Sequence, residues 1–517
     1  MIDPKPSRWP TWRLALVLAA WLAATAWLRP LMLPDEGRYV GVAWQMLTSG
    51  DWLTPTLDGL PFFHKPPLFY WISAGAMALF GVGEFAARLP SLLAAWMTGV
   101  ALFAFVRHWC GERFARLTLV ALALQPFFFC GAQFANLDML VAGFISVTVL
   151  ALAHAQLRRE QGRPYRRTLA LAWLLAGLGV LSKGLIGFVL PGLVVTIWLF
   201  CRGRWRAIFG LLWWPGMLVL LAVTTPWFWL EQREFPDFLH YFFVVQHFKR
   251  FAGSGFNNVQ PLWFYPAVIA AFGLPWLYWW ARHLRDAAVD LAKPPPAGRN
   301  PVYALMWVWP LVIVGFFSMP QSKLVGYVLP AVPPLAFWAA AAFATRAEAT
   351  PRERAGWGLS AALGAVMSLA VVAYLVLQPV HTARTIGRTL AAQRASGEPV
   401  LMVGAYAYDV PLYADLHGFV PAVDDWDPVR VQAHDDWHKE LADAGSFNPQ
   451  RAARLLISPA QARGLLCGKP GAWLIAQHDP RALVAGLGDV VQVATQGPWQ
   501  LWQVLPASPT GLGCPAK

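Results

Sequence analysis

The sequence predicts a polytopic α-helical membrane protein, about eleven spans with interfacial helices, followed by a C-terminal extracytoplasmic α/β domain. Three observations lead there: a charge-poor apolar composition, a series of long uncharged runs, and a sharp change of character near residue 378. Over 517 residues, 57% are hydrophobic and only 13% charged, whereas globular domains carry about 25% charged residues. Mean hydropathy is +0.45. These values exclude a disordered chain, a disulfide scaffold and a soluble nucleic-acid binder, so no nucleic-acid partner is expected.

The net charge of +13 has a location. Residues 379–517 carry 11 Lys and Arg against 12 Asp and Glu, and residues 1–378 carry 30 against 16. The excess basicity belongs to the apolar part, read as a transmembrane domain over 1–378. Residues 379–517 lack long apolar runs and read as a separate soluble domain.

A spanning helix needs about 20 mainly apolar residues. Candidates run over 13–32, 88–107, 114–131, 138–156, 168–182, 184–201, 207–230, 262–281, 302–318, 324–345 and 357–378. A further stretch, Leu68–Phe80, has only 13 residues and follows Pro66 and Pro67. With the N-terminus inside and 68–80 not crossing, the cytoplasmic segments hold 21 basic and 7 acidic residues, and the outer segments 9 and 9. If 68–80 crossed, the basic loop with Arg158, Arg159, Arg166 and Arg167 would move outside, against the positive-inside rule. Leu68–Phe80 is therefore expected to be interfacial or re-entrant, and the soluble domain to face outward.

The ionisable residues of interest then collect at the outer ends of the spans. In the first outer loop Asp35, Glu36, Arg38 and Tyr39 open a stretch whose apolar residues Val40, Val42, Ala43, Met46 and Leu47 recur at helical spacing. That spacing predicts an amphipathic helix on the membrane surface; two acids at such a start also serve simply as caps. On the same side lie Phe63-His64-Lys65-Pro66, Asn136-Leu137-Asp138, a loop with His240, His247, Lys249 and Arg250, and Ser322-Lys323-Leu324-Val325-Gly326-Tyr327. Each alone has a structural explanation. Together they put carboxylates, imidazoles and cations on one face of the bilayer.

With Asp-Glu-x-Arg-Tyr after the first span, Lys65-Pro66, Ala-Arg-Leu-Pro-Ser at 87–91, Asn136-x-Asp138 and Lys-Leu-x-x-Tyr-x-Leu-Pro at 323–330, the chain resembles the GT-C glycosyltransferases. It is most similar to the bacterial branch that includes aminoarabinose lipid A transferase, related to the protein O-mannosyltransferases. The resemblance covers nearly all of 30–335 and is weak in the tail.

It implies a GT-C fold and an inverting transfer of a sugar from a polyprenyl-phosphate donor to an extracytoplasmic acceptor. Lipid A is the acceptor implied first, with a protein hydroxyl as the alternative. The setting would be the bacterial inner membrane, with the site facing the periplasm, membrane lipids around it and a monomer expected. Such a transfer passes through an oxocarbenium-like state. It needs cations and donors for the departing phosphate and a carboxylate to orient or deprotonate the acceptor. Lys65, Arg250 and Tyr327 match the family's phosphate-contacting positions, with Arg38 and Tyr39 assisting. Asp35 and then Asp138 match its acidic positions, and Glu36 and Lys323 support them. The family's branch attributes metal ligands to positions matching His64 and His247; the usual Glu is His64 here, and two imidazoles suit zinc.

A transporter is disfavoured by the absence of repeats and of midspan charge, and an ATP-driven pump by the absence of a G-x-x-x-x-G-K-[ST] motif. In the tail, apolar pieces at 399–404, 455–457, 472–476, 490–494 and 501–504 alternate with helical stretches and predict a small α/β domain. Cys467 and Cys514 could pair in an oxidising compartment. Asp424, Asp425 and Asp427 read as a solvated acidic loop, because the Gly and terminal Glu of a calcium hand are missing.

Overall fold

The computed structural model describes residues 10–249, 258–291, 300–344, 349–467 and 471–505. The chain divides into two compact units. One comprises 1–27, 88–233 and 258–374, the other 28–87, 234–257 and 375–517.

The first unit is helical. Its principal helices are Thr11–Ala23, most of Glu84–Cys110, Glu112–Ala123, Leu137–Glu160, Arg166–Lys183, Ile186–Cys201, Trp214–Glu234, Pro301–Ser318, Val332–Ala344 and Pro351–Leu377. All eleven apolar stretches contain helix, but not always as one continuous rod. Among the described residues, five helices are long and apolar enough to cross a membrane, or six if the bent pair Glu112–Ala123 and Pro126–Ala132 is one span. By length and composition, single continuous helices account for five or six of the eleven expected crossings. The breaks explain the difference. Pro126 begins a new helix at 65° to its predecessor, Pro275 sits in a 3₁₀ turn inside the 262–281 run, and the first run is helical only to Ala23. Beyond it, the Ala26 carbonyl accepts a hydrogen bond from Arg88 (2.7 Å) rather than from a following turn.

Burial separates the helices. The most apolar stretch of Leu137–Glu160 is 78% buried within the protein, that of Pro351–Leu377 only 22%. The first is a central helix, and the second shows Leu359, Leu363, Val366 and Leu369 outward, as a lipid-facing helix does. Small residues allow close backbone approach: a Cβ on Gly187 would meet the Gly179 carbonyl carbon at 2.1 Å, and one on Gly143 the Ala94 Cβ at 2.8 Å.

The second unit joins Leu28–Ala87 to the tail. Leu68–Phe80 is a helix over the residues expected, bounded by Pro67 and by Gly81 at φ 84°. A six-stranded sheet forms its centre. The strands are β3 (Val400–Val403), β4 (Ala422–Val423), β5 (Leu456–Ile457), β6 (Ala472–Ala476), β7 (Val490–Gln496) and β8 (Trp499–Val504), in the order β5-β4-β3-β6-β8-β7. The first four are parallel, and β8 runs antiparallel to both β6 and β7. Leu401, Val423, Ile457, Leu474, Trp502 and Val504 fill one core against it. Cys467 is disulfide-bonded, and Cys514 lies outside the described residues. The acidic loop is absorbed locally: Asp427 caps the helix Pro428–Ala433, and Asp424 meets His438 Nε2 at 2.9 Å.

A hairpin of β1 (Thr56–Leu57) and β2 (Leu60–Pro61) turns through Asp58 and Gly59, both at positive φ. Asp-Gly is the pair such a two-residue turn favours. Asp58 is buried, and its Oδ1 accepts the Val420 amide at 2.9 Å. Burial pushes its carboxyl up to about 7, against the opposing hydrogen bond from that amide. From the unfolded value of 3.8, the folded state holds the extra proton between the two values, so stability falls as pH rises through that window. Asp58→Asn keeps the acceptor and tolerates the turn. It should raise the unfolding temperature at pH 8 and much less at pH 4, with a stabilisation of at most about 4 kcal/mol. Equal shifts at both pH values, read by thermal unfolding, would contradict an ionised buried carboxylate.

Candidate active site

The helix Asp35–Ser49 begins at the first candidate carboxylate. Its position is set by glycines one turn apart. A Cβ on Gly37 would lie 3.1 Å from the Asp409 amide nitrogen, and one on Gly41 3.2 Å from the Tyr408 carbonyl. The tail segment 408–409 thus lies directly on the helix. The apolar face expected on the membrane surface is instead covered by protein, with Val40, Val42, Ala43, Trp44 and Met46 all buried.

The two acids at the helix start part company. Glu36 is buried and grips Arg29 through both oxygens, and it also accepts the Met32 amide at 2.9 Å. It fixes the turn leading into the helix. The Asp35 side chain is 42% exposed and pairs with Arg38 one turn on. Arg38 donates in turn to Glu440, from the helix Trp437–Ser446 of the tail, and lies 4.8 Å over the Tyr39 ring. Glu440 is held from its other oxygen by the Tyr408 hydroxyl at 2.6 Å. One guanidinium therefore serves two carboxylates. Burial opposes its charge, but Glu440, Tyr39 and Asp35 outweigh that and keep Arg38 firmly cationic.

His64 is buried with its ring 4.4 Å from that of Phe62 and 6.0 Å from that of Tyr241. Lys65 follows it at the entry to Leu68–Phe80 and is partly exposed. The side chains of His247 and Lys249 lie outside the described residues, as does Arg250 altogether. Among the described residues no group of three or more His, Cys, Asp or Glu could hold a metal. They do not make a metal site without His247, and no chemical step is assigned to one.

The first unit holds a second cluster. Asn136 caps the helix Leu137–Glu160 through the Asp138 amide at 3.0 Å, and Ser91 holds the preceding loop by the Phe134 carbonyl at 2.7 Å. Asp138 forms an ion pair with Lys183, the last residue of Arg166–Lys183. The Lys183 ammonium sits 4.5 Å over the Tyr327 ring. Gly326 must be glycine for this, since a Cβ there would meet Asp138 Oδ2 at 2.3 Å. Lys323 is buried and donates to the Gln260 carbonyl at 2.8 Å, so it ties down the strand-like approach to the 3₁₀ turn Val325–Ala331.

These placements accompany a set of likenesses. The model of the dolichyl-phosphate-mannose-protein mannosyltransferase family matches residues 64–229. An undecaprenyl phosphate-alpha-4-amino-4-deoxy-L-arabinose arabinosyl transferase of Pseudomonas aeruginosa (strain UCBPP-PA14) is 30% identical over 386 residues, covering 72% of this chain and 67% of that protein. The chain belongs to this arabinosyl transferase family. The protein of the same name from Pseudomonas paraeruginosa is 32% identical over 360 residues, 68% of this chain and 63% of that protein. The chain spans about three fifths of the length of several curated relatives it matches, 63%, 60% and 63% for three of them. In fold it is similar to ArnT from Cupriavidus metallidurans, solved bound to undecaprenyl phosphate: TM-score 0.79 at 22% identity, covering 97% of this chain and 98% of that one. A more distant likeness is the archaeal oligosaccharyltransferase AglB from Archaeoglobus fulgidus, with TM-score 0.52, 15% identity, and coverage of 90% of this chain and 69% of that one.

Within this family member, two participants escaped the sequence. Lys183 carried a signal, being a lysine with a following glycine between two apolar runs. Glu440 carried none, since 402 residues separate it from Arg38. Removing one partner of a largely buried pair leaves a charge uncompensated and costs about 3–5 kcal/mol. Arg38→Ala and Glu440→Ala should each destabilise the protein on that scale, and together by clearly less than their sum. Additive losses in denaturant unfolding would show that the two residues are not coupled.

Proposed function

We propose that the chain is an integral-membrane glycosyltransferase that moves a sugar from undecaprenyl phosphate, with inversion, to lipid A on the periplasmic side of the bacterial inner membrane. The observation that carries this is the paired Asp35–Arg38 at the exposed start of its helix, in a chain 30% identical to an arabinosyl transferase over most of its length. In this reading residues 1–378 form the catalytic transmembrane domain with eleven crossings, and 379–517 a periplasmic domain.

The sugar's anomeric C–O bond to phosphate breaks as the acceptor oxygen bonds to the opposite face, and undecaprenyl phosphate leaves with the bonding pair. Lys65, Arg250 and Tyr327 stabilise the departing phosphate, with Lys183 tuning Tyr327 from over its ring. Asp35, held in one orientation by Arg38, directs the acceptor. Asp138 keeps Lys183 in place. Glu36 and Lys323 are fixed to their own surroundings and serve the scaffold. The mannosyltransferase family model over 64–229 favours a second reading, a protein hydroxyl as acceptor.

The two readings differ in proton chemistry. A phosphate acceptor is already ionised near neutral pH and needs no base, whereas a hydroxyl gains about 10²–10⁴-fold from one. With purified protein and labelled donor, Asp35→Asn should lose most transfer on lipid A while any acidic limb of the pH–rate profile persists. Loss of that limb in the variant would favour the hydroxyl reading, and wild-type turnover would remove Asp35 from the site. Lys65→Ala should reduce transfer by at least about 100-fold, the scale of losing one oxyanion-stabilising donor, while the protein still accumulates; full activity would exclude it from the phosphate contacts. Topology has its own check: a reporter fused after residue 440 should be periplasmic, and cytoplasmic labelling there would refute the eleven-crossing arrangement.

A further inference from the structure

Seven residues after the helix Pro351–Leu377 ends, a second helix begins, Arg384–Gln393. Between them and the segment Leu28–Pro30 lies a cleft of about 590 Å³, within the range of small-ligand sites, about 300–1,000 Å³. Its two sides differ in chemistry. Leu28, Pro30, Val376 and Pro379 make an apolar wall, and Arg384, Arg388, Thr385, Thr389 and Gln496 a polar one. Among the described residues, no acidic side chain lines it.

The two arginines are one turn apart on the same helix face, where like charges repel. Glu84 offsets only one of them, lying 3.6 Å from Arg384. Among the described residues Arg388 has no ion pair, and it is exposed. The helix start is already satisfied without a ligand: the Thr385 amide donates to Gln496 at 2.6 Å and the Ala383 amide to Asp409 at 2.9 Å. What remains unanswered is the positive charge of the side chains facing the cleft.

Position names the ligand. Val376 belongs to the last turn of a 27-residue helix whose most apolar stretch has mean hydropathy 2.2 and is mostly open, so the apolar wall begins where a bilayer ends. Basic groups beside a spanning helix attract anionic lipids. An apolar wall continuous with the span and a cationic wall beyond it fit an amphiphile with a negative head. We propose that this cleft binds the phosphodiester head group of an anionic phospholipid from the adjoining leaflet. The glycerol and proximal acyl carbons lie along Leu28 and Val376, and the phosphate oxygens face Arg384, Arg388 and the hydroxyls of Thr385 and Thr389. The same segment runs from Leu28 to Asp35 and is tied to the cleft's surroundings by the Leu33 amide on the His381 carbonyl at 2.7 Å. The lipid therefore braces the approach to the Asp35 helix, a role separate from donor or acceptor binding.

The test uses the full-length protein in neutral detergent, with short-chain phosphatidylglycerol and phosphatidylcholine as probes and bound lipid counted by native mass spectrometry. Phosphatidylglycerol should bind in preference to phosphatidylcholine. Arg388→Gln, which breaks no ion pair, should weaken phosphatidylglycerol about fivefold, and the double change with Arg384→Gln about 25-fold. Thr389→Trp should weaken it by filling the cleft with both charges intact. Equal binding of the two lipids, undiminished phosphatidylglycerol binding by both Arg388→Gln and Thr389→Trp, or complete displacement of the lipid by equimolar inorganic phosphate would each overturn the proposal.

Discussion

The Arg38 guanidinium is the interaction on which the rest of the candidate site depends. Asp35 is exposed and would have several rotamers open to it. Arg38 holds it, and Arg38 is itself held by Glu440 from the far end of the sequence. A guanidinium suits this task because its planar fork addresses two carboxylates at once, which a lysine ammonium cannot do with the same geometry. The glycines at 37 and 41 make the arrangement available by letting the backbone at 408–409 approach the helix. The tail sheet is thereby more than an appendage. Its helix Trp437–Ser446 delivers the second carboxylate, and Tyr408 secures that carboxylate in turn.

The first unit solves a similar problem with different parts. Asp138 opens a helix buried over most of its length, Lys183 ends another, and Tyr327 lies in a 3₁₀ turn. Three elements converge because small residues remove the bulk between them: Gly179 against Gly187 beside the lysine, and Gly326 against the aspartate. In membrane helices such close contact replaces the hydrophobic driving force that water supplies elsewhere. An ion pair and an aromatic face then fix the Lys183 ammonium at that junction.

Much of this was legible in the sequence, and the failures have physical causes. Leu68–Phe80 was readable because it is a short apolar run set off by the two prolines before it. The strands at 400–403, 456–457, 472–476, 490–496 and 499–504 were readable because each is an apolar run between turns, whereas Ala422–Val423 is too short to show any period. Counting apolar residues overstated the unbroken spans, since hydropathy does not register a helix that bends at Pro126 or Pro275. Glu36 and Asp35 look alike in sequence. Only burial separates the acid that anchors Arg29 from the acid left open, and burial is a tertiary property. Glu440 could not have been named, because nothing local to it differs from an ordinary charged helix residue.

The transferase reading is tested most directly by intact mass spectrometry of lipid A. Cells carrying the wild-type gene would be compared with cells lacking it and with cells carrying Asp35→Asn. The account predicts a lipid A species heavier by one sugar in the wild type and absent from both of the others. Identical lipid A in all three strains, with a sugar lost from an exported protein instead, would contradict it.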